Sequence, residues 1–283
     1  MLIAQISDPH IRQKGKLLHH MLPTARYLRR CVVQLEAMEA RPDVVLATGD
    51  LVDRGKPKEY RRLRKILAHL RIPLFVLPGN HDEHVALREA FADHAYLPED
   101  GPLQYTVERY PLRLIGLDTT RKRHPGGELD DARLAWLAAR LEEQPRRPTF
   151  VFMHHPPFQT GVKPVDRHGF RGVEAFAALV ARHPQIVRIV CGHIHRAIPV
   201  SFARTVASSA PSIAPQLIVA RRPSGFYGIR LEPAGFALHH WNGSALETTV
   251  RPVEANLLRL RPHLSAAAES ARRLGSTIRE FEP

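Results

Sequence analysis

Residues 44–55 read VVLATGDLVDRG. A short apolar run rich in β-branched residues and closed by a glycine suggests a buried strand of a parallel sheet. Gly49 lets backbone pass close to a ligand, and Asp50 projects from the end of the strand. The same arrangement recurs along the chain. IAQIS precedes Asp8 and SDPH (7–10), and LFVLP precedes GNHD (79–82). TFVFM precedes His154 of MHHPP (153–157), and IVRIV precedes CGHIH (191–195). Five strand ends thus present His, Asp and Asn at one edge. In open α/β sheets, ligands bind just beyond the carboxyl ends of parallel strands.

Between these strands the apolar spacing changes to a helical period. Helices are expected at 22–40, 57–70, 83–93, 132–143 and 172–182, with Asp130 or Asp131 capping the fourth. Arg41-Pro42 stops the first, because proline disfavours helix in the residue before it. Residues 103–109 and 112–117 read as a hairpin, while 11–20 and 156–170 read as irregular loops beside the site. Residues 197–209, 215–220, 225–232 and 235–241 read as consecutive antiparallel strands. A β-α order followed by mixed β argues for an α/β fold, two sheets packed together with helices outside. The expected organisation is a catalytic domain over 1–250 and an extension over 251–283.

The 283 residues are 44% apolar and 24% charged, enough to bury a sizeable core. No run of about 18 apolar residues spans a membrane. The N-terminus MLIAQISDPH reads as a first strand and not as a signal peptide. Cys31 and Cys191 read as buried free thiols, which predicts a cytoplasmic protein. The net charge of +13 draws anions of many kinds without choosing among them. Lys58, Arg61, Arg62 and Lys65 form a basic helix face, but no aromatic residue alternates with them as a base-stacking surface requires. Nucleic acid is therefore a less favoured partner than a small anion.

A D-x-H or a His pair alone says little. Polar groups at five strand ends are another matter, because buried polar groups without partners cost several kcal/mol. Carboxylates and imidazoles cluster favourably when metal ions supply positive charge. Oxygen and imidazole donors without thiolate suit Mn, Fe, Zn or Co. Seven such groups suffice for two ions if one carboxylate bridges them.

The order D-x-H, GD-x-x-D-x-G, GNHD, H and GH-x-H resembles the calcineurin-like metallophosphoesterases over residues 3–195. Within that superfamily SDPHIR, GNHD and GHIH look like the class III cyclic-nucleotide phosphodiesterases and related glycerophosphodiesterases. The resemblance implies a β-sandwich of two mixed sheets flanked by helices. It implies a first divalent ion on Asp8, His10, Asp50 and His195, and a second on Asp50, Asn80, His154 and His193. Asp50 would bridge, and His81 and Asn80 would face the phosphate, with His81 stabilising the transition state or assisting the leaving group. The implied activity is hydrolysis of a small phosphodiester by direct attack of metal-held hydroxide. Alternatives are a phosphomonoesterase, a nuclease or a binding scaffold, although scaffold relatives typically lose ligands. His155 carries no ligand role in the pattern, and Asp53 and Arg54 would brace their loop.

Leu264, Ala267, Ala271, Leu274, Ile278 and Phe281 repeat at alternating intervals of three and four. This predicts an amphipathic helix over 262–283 that packs either on the chain's own sheet or against a second copy, and the expectation is a homo-oligomer through it.

Overall fold

The computed structural model describes residues 1–221 and 227–253. The helix expected over 262–283, and the assembly through it, lie outside the described residues. In chain order the first elements are β1 (Leu2–Ile6), α1 (Thr24–Glu36), β2 (Val44–Thr48), α2 (Pro57–Leu67), β3 (Leu74–Leu77) and α3 (His84–Ala90). Next come β4 (Tyr105–Val107), β5 (Arg113–Gly116), β6 (Gly127–Glu128), α4 (Asp131–Glu143), β7 (Thr149–Phe152), α5 (Lys163–His168), β8 (Phe170–Arg171) and α6 (Val173–Arg182). The last are β9 (Ile186–Cys191), β10 (Pro199–Phe202), β11 (Thr205–Ser209), β12 (Gln216–Arg221), β13 (Tyr227–Glu232), β14 (Gly235–Trp241) and β15 (Leu246–Pro252).

Among these residues a five-stranded sheet has the order β15-β14-β1-β2-β3, and a six-stranded sheet the order β10-β11-β9-β7-β5-β4. β1, β2 and β3 are parallel to one another, as are β5, β7, β9 and β11, while β14, β4 and β10 join antiparallel. The side-chain alternation of a strand sorts three apolar layers. Ile3, Leu46 and Leu77 meet Phe150, Phe152 and Val190 between the sheets. Ala4, Ile6 and Val45 turn outward onto Leu28 and Leu35 of α1 and Leu63 of α2. Val151 and Ile189 turn the other way onto Leu137 of α4 and Phe176 of α6. The sheets therefore lie face to face with helices on both outer surfaces, as the pattern predicts.

One polar chain crosses the layer between the sheets. Gln5 of β1 donates through Nε2 to Thr48 Oγ1 (3.0 Å) and to the Cys191 carbonyl (2.9 Å). Its Oε1 faces His239 Nε2 at 3.2 Å. A buried amide needs such partners. Here they tie β1, β2, β9 and β14 together just below the strand ends.

The structure departs from the expected elements in three places. Residues 156–170 contain α5, and β8 pairs in parallel with β6, so the stretch is zipped to the 118–129 loop. Residues 197–209 form a hairpin of two strands, because Ala203-Arg204 turn there with Ala203 in the left-handed region at φ 51°. β12 and β13 pair antiparallel as expected, but β11 runs parallel to β9 and β14 crosses to pair with β1, so the four segments do not form one consecutive meander. β15 was not expected, since LETTVRP carries little apolar alternation; it lies exposed at a sheet edge. On α2, Arg62 turns inward and donates to the carbonyls of Arg12 and Gln13 at 3.0 and 2.9 Å, which holds the 11–20 loop. Lys58, Arg61 and Lys65 stay exposed.

Candidate metal centre

Asp8, Asp50 and Asn80 follow β1, β2 and β3 of the first sheet, and His154, His193 and His195 follow β7 and β9 of the second. Both sheets thus aim their carboxyl ends at one place. The backbone bends sharply to do so. Asp8, His10, Asp50, His193 and His195 have φ of 53°, 41°, 49°, 71° and 57°. Non-glycine residues in this region are uncommon and strained, and they concentrate at functional sites.

Asp8, His10, Asp50 and His195 bring one ligand atom each within 4.8 Å of one another. His10 Nε2 lies 3.3 Å from His195 Nε2 and 3.6 Å from Asp50 Oδ2, and His195 Nε2 lies 3.2 Å from Asp8 Oδ1. On the other side of Asp50, His154 Nε2 lies 3.5 Å from Oδ1 and 3.2 Å from Asn80 Oδ1. The rings of His154 and His193 are 5.1 Å apart, edge to face. One Asp50 oxygen therefore faces each group. His154 donates its Nδ1 proton to the Thr48 carbonyl at 2.8 Å, which turns Nε2 inward toward Asp50 and Asn80. Such an outer partner fixes the tautomer a metal ligand needs.

The electrostatics suit divalent cations. Asp8 and Asp50 are buried, and burial alone raises a carboxyl pKa. His195 nonetheless holds Asp8 at about 2, and His154 holds Asp50 well below the usual range. Burial lowers His10 to about 4 and His193, with His154 beside it, to about 3, so both keep free lone pairs. Burial also works against a charged His154, yet Asp50 pushes it up to about 9. Two buried anions that draw positive charge onto His154, with the neutral imidazoles of His10 and His193 beside them, fit a transition-metal centre and would be a poor apolar core.

Gly79 makes room for this arrangement. A Cβ there would fall 2.2 Å from Asp50 Oδ1 and 2.3 Å from the Asp50 backbone nitrogen. We expect Gly79→Ala to push aside the Asp50 backbone as well as its carboxylate, lowering the melting temperature and weakening metal affinity by roughly 10–100-fold or more. Metal titration followed by calorimetry measures this directly; unchanged affinity would show that the Asp50 carboxylate tolerates displacement.

His81 stands at the rim. Its ring is edge-on to His10 at 4.7 Å, its Nδ1 donates to the Asp53 carbonyl at 2.8 Å, and its Nε2 lies 4.0 Å from Asp50 Oδ2. The side chain is 40% exposed, the opposite of His154. Burial lowers its pKa, but Asp50 and the Asp53 carbonyl outweigh that and raise it above the ordinary histidine value. His155 brings a ring nitrogen within 4.8 Å of those of His154 and His193, while Thr119 Oγ1 faces its Nδ1 at 2.9 Å and its ring packs against His193 at 4.7 Å. Asp53 forms an ion pair with Arg12, and the Arg54 backbone N–H donates to Glu59 at 2.9 Å, so both brace the loop. His124 and His168 meet each other, with ring centroids 5.9 Å apart.

Two buried acidic residues outside the expected set tie loops together. Asp82 accepts from the N–H groups of Leu51 (2.9 Å), Val52 (3.3 Å) and Gly79 (2.9 Å) and from the Tyr60 hydroxyl (2.8 Å). It clamps the loop after β2 to the loop after β3. Burial and the nearby Asp50 carboxylate still push it to about 6. The signal was in the sequence, as the last letter of GNHD. Asp118 accepts from the Leu103 N–H (2.8 Å), the Thr120 hydroxyl (2.6 Å) and His84 Nε2 (2.7 Å). No spacing in the sequence pairs it with His84.

The Asp118 contact raises the His84 pKa, so the fold favours the protonated ring. Its stabilisation is complete below the unfolded pKa of about 6.5 and is lost as pH rises through the folded value. We expect His84→Ala to lower the melting temperature more at pH 6 than at pH 9. A deficit that grows with pH would reverse the assigned charge.

The sequence pattern described as calcineurin-like phosphoesterase matches residues 1–197. A probable glycerophosphodiester phosphodiesterase of Arcobacter nitrofigilis is 31% identical over 242 residues, covering 85% of this chain and 89% of the relative. The 3′,5′-cyclic adenosine monophosphate phosphodiesterase of Escherichia coli K12 is 29% identical over 213 residues, covering 74% and 75%. Among solved structures, a dimetal phosphatase from Danio rerio superposes with a TM-score of 0.63 at 14% identity, covering 90% of this chain and 96% of that one. The likeness to the latter is one of fold. With the matching pattern spanning the strands that carry the centre, the chain belongs to the calcineurin-like phosphoesterases, a family of hydrolases.

Proposed function

We propose that the protein is a dinuclear phosphodiesterase for small diesters of the glycerophosphodiester or cyclic-nucleotide kind. The observation that carries this reading is the Asp50 carboxylate, with Oδ2 3.6 Å from His10 and Oδ1 3.5 Å from His154. One carboxylate between two sets of donors suits two ions. Asp8, His10, Asp50 and His195 would hold the first, and Asp50, Asn80, His154 and His193 the second. Mn, Fe, Zn and Co all match these donors. When bound, two such ions acidify water toward neutrality and offset negative charge on the phosphate. Relatives named for glycerophosphodiesters and for cyclic nucleotides support the substrate class.

The chain's own residues then divide the work. Asn80 and His81 face the phosphate from the loop after β3. His81 is held through Nδ1 on the Asp53 carbonyl, so its Nε2 is the atom that gives a proton to the departing alkoxide. Its raised pKa keeps that proton available near neutral pH. Cys191, beside Asp8, is a buried thiol pushed far up by burial and is no nucleophile.

Rates on bis(4-nitrophenyl) phosphate, 4-nitrophenyl phosphate and single-stranded DNA, with metal analysis and with and without Mn, test the reading. Turnover of the first with two ions per chain supports it. Preference for the monoester or for DNA would move the protein to another class. A panel of cyclic nucleotides and glycerophosphodiesters then identifies the natural diester.

A further inference from the structure

The charge around the His81 side of the centre separates kinds of diester. Between the 12–20 loop and Asp53-Arg54 lies a cavity of about 430 Å³, lined by Arg12, Lys16, His19, His20, Asp53 and Arg54. Asp53 is the common wall: its carbonyl accepts from His81 Nδ1, and its carboxylate lies 3.9 Å from His10 Nδ1. The cavity therefore adjoins the His81 side of the centre across Asp53. Its charge is one-sided. The one lining carboxylate, Asp53, is claimed by Arg12 and also lies 3.6 Å from Arg54 Nε. Lys16, His19 and His20 are exposed, and the Arg54 side chain is 60% exposed.

The loop is built to present these groups. Arg62 fixes its start through two carbonyls, and Leu18 bridges Leu22 across its end. His19 and His20 sit between them in the left-handed region at φ 48° and 61°. Two successive imidazoles in that conformation cost strain that a free loop would shed.

We propose that this cavity receives the departing arm of the diester and selects arms carrying a further negative charge, such as a phosphate or carboxylate, over arms bearing choline or ethanolamine. The inference rests on the phosphodiesterase reading and gives it a substrate class. Three permanent cations, Arg12, Lys16 and Arg54, outnumber the two carboxylates that face them, Asp53 and Glu59, and the balance repels a quaternary ammonium and attracts an anion.

The test uses the full Mn-loaded chain and methyl aryl phosphates whose aryl group carries a para carboxylate, phosphonomethyl or trimethylammonium group. Each compound is compared between the parent and Lys16→Glu/Arg54→Glu, so differences in leaving-group acidity cancel. We expect the carboxylate-over-ammonium ratio of kcat/KM to fall by about tenfold or more in the double variant, mainly through KM. In the parent the ratio should narrow as salt screens the cavity. A larger gain for the phosphonate than for the carboxylate assigns a phosphate-bearing arm, and parity assigns a singly charged one. Melting temperature and metal content report whether the double variant folds, and Lys16→Glu alone replaces it if not. A ratio unchanged in both variants and insensitive to salt overturns the inference. Failure of the metal-loaded parent on all three diesters would instead remove the phosphodiesterase reading.

Discussion

Asp50→Ala is expected to lose both metal ions and to lower diesterase turnover by roughly 10³-fold or more, the scale of positioned electrostatic stabilisation. No other residue of the centre stands so centrally. Asp50 is within 4.0 Å of His10, His154 and His81 and also accepts the His81 backbone N–H at 2.8 Å. Without it the two ions of the proposed centre would share no anion and would repel each other. Its removal also leaves His10 and His154 without the carboxylate that orients them. The fold should survive, because the Asp82 clamp still joins the two loops through Leu51, Val52 and Gly79. Elemental analysis beside circular dichroism decides the matter. Two ions retained per folded chain would show that a different group bridges.

His81→Ala should separate chemistry from metal binding. The ring is no ligand in this reading, so metal content should stay near the parent's. Turnover of alkyl diesters should drop by about 10²–10⁴, the usual worth of an acid–base group. The drop should shrink for a 4-nitrophenyl diester, whose leaving group departs without a proton. Equal losses on both would take away the acid role and leave His81 as an electrostatic stabiliser. A loss of metal together with activity would place His81 in the coordination shell, which its partnered Nδ1 and exposed ring argue against.

The positions of the candidate ligands were legible because each is a polar residue at the end of an apolar run, and strand ends are the easiest boundary to read. Helices α1 to α4 and α6 were legible for the same reason, although α1, α2, α3 and α6 came out shorter by up to four residues at an end and α4 began one residue earlier. The sequence did not show what holds the ligands at their angles. The left-handed backbone at Asp8, His10, Asp50, His193 and His195 leaves no compositional trace, since only glycine advertises that conformation. The pairing of His84 with Asp118 spans 34 residues and two elements. The crossing of β14 to β1 was hidden too, because alternation within a strand names its faces but not its neighbour. Only the hydrogen-bonding ladder chooses between the two sheets.

The division of the centre between two sheets has a thermodynamic consequence. Asp8, Asp50 and Asn80 belong to one layer and His154, His193 and His195 to the other. An ion held by both acts as a rivet through the sandwich. A ligand that binds only the assembled form stabilises it by about 4 kcal/mol at a thousand times its dissociation constant. The linkage is reciprocal: whatever loosens the layers also loosens the ion. A cavity cut at Phe152 or Leu46, deep between the sheets and touching no ligand, should thus be felt as weaker ion retention. Selection for turnover at the rim is then also selection for packing in the interior, and the two cannot drift apart.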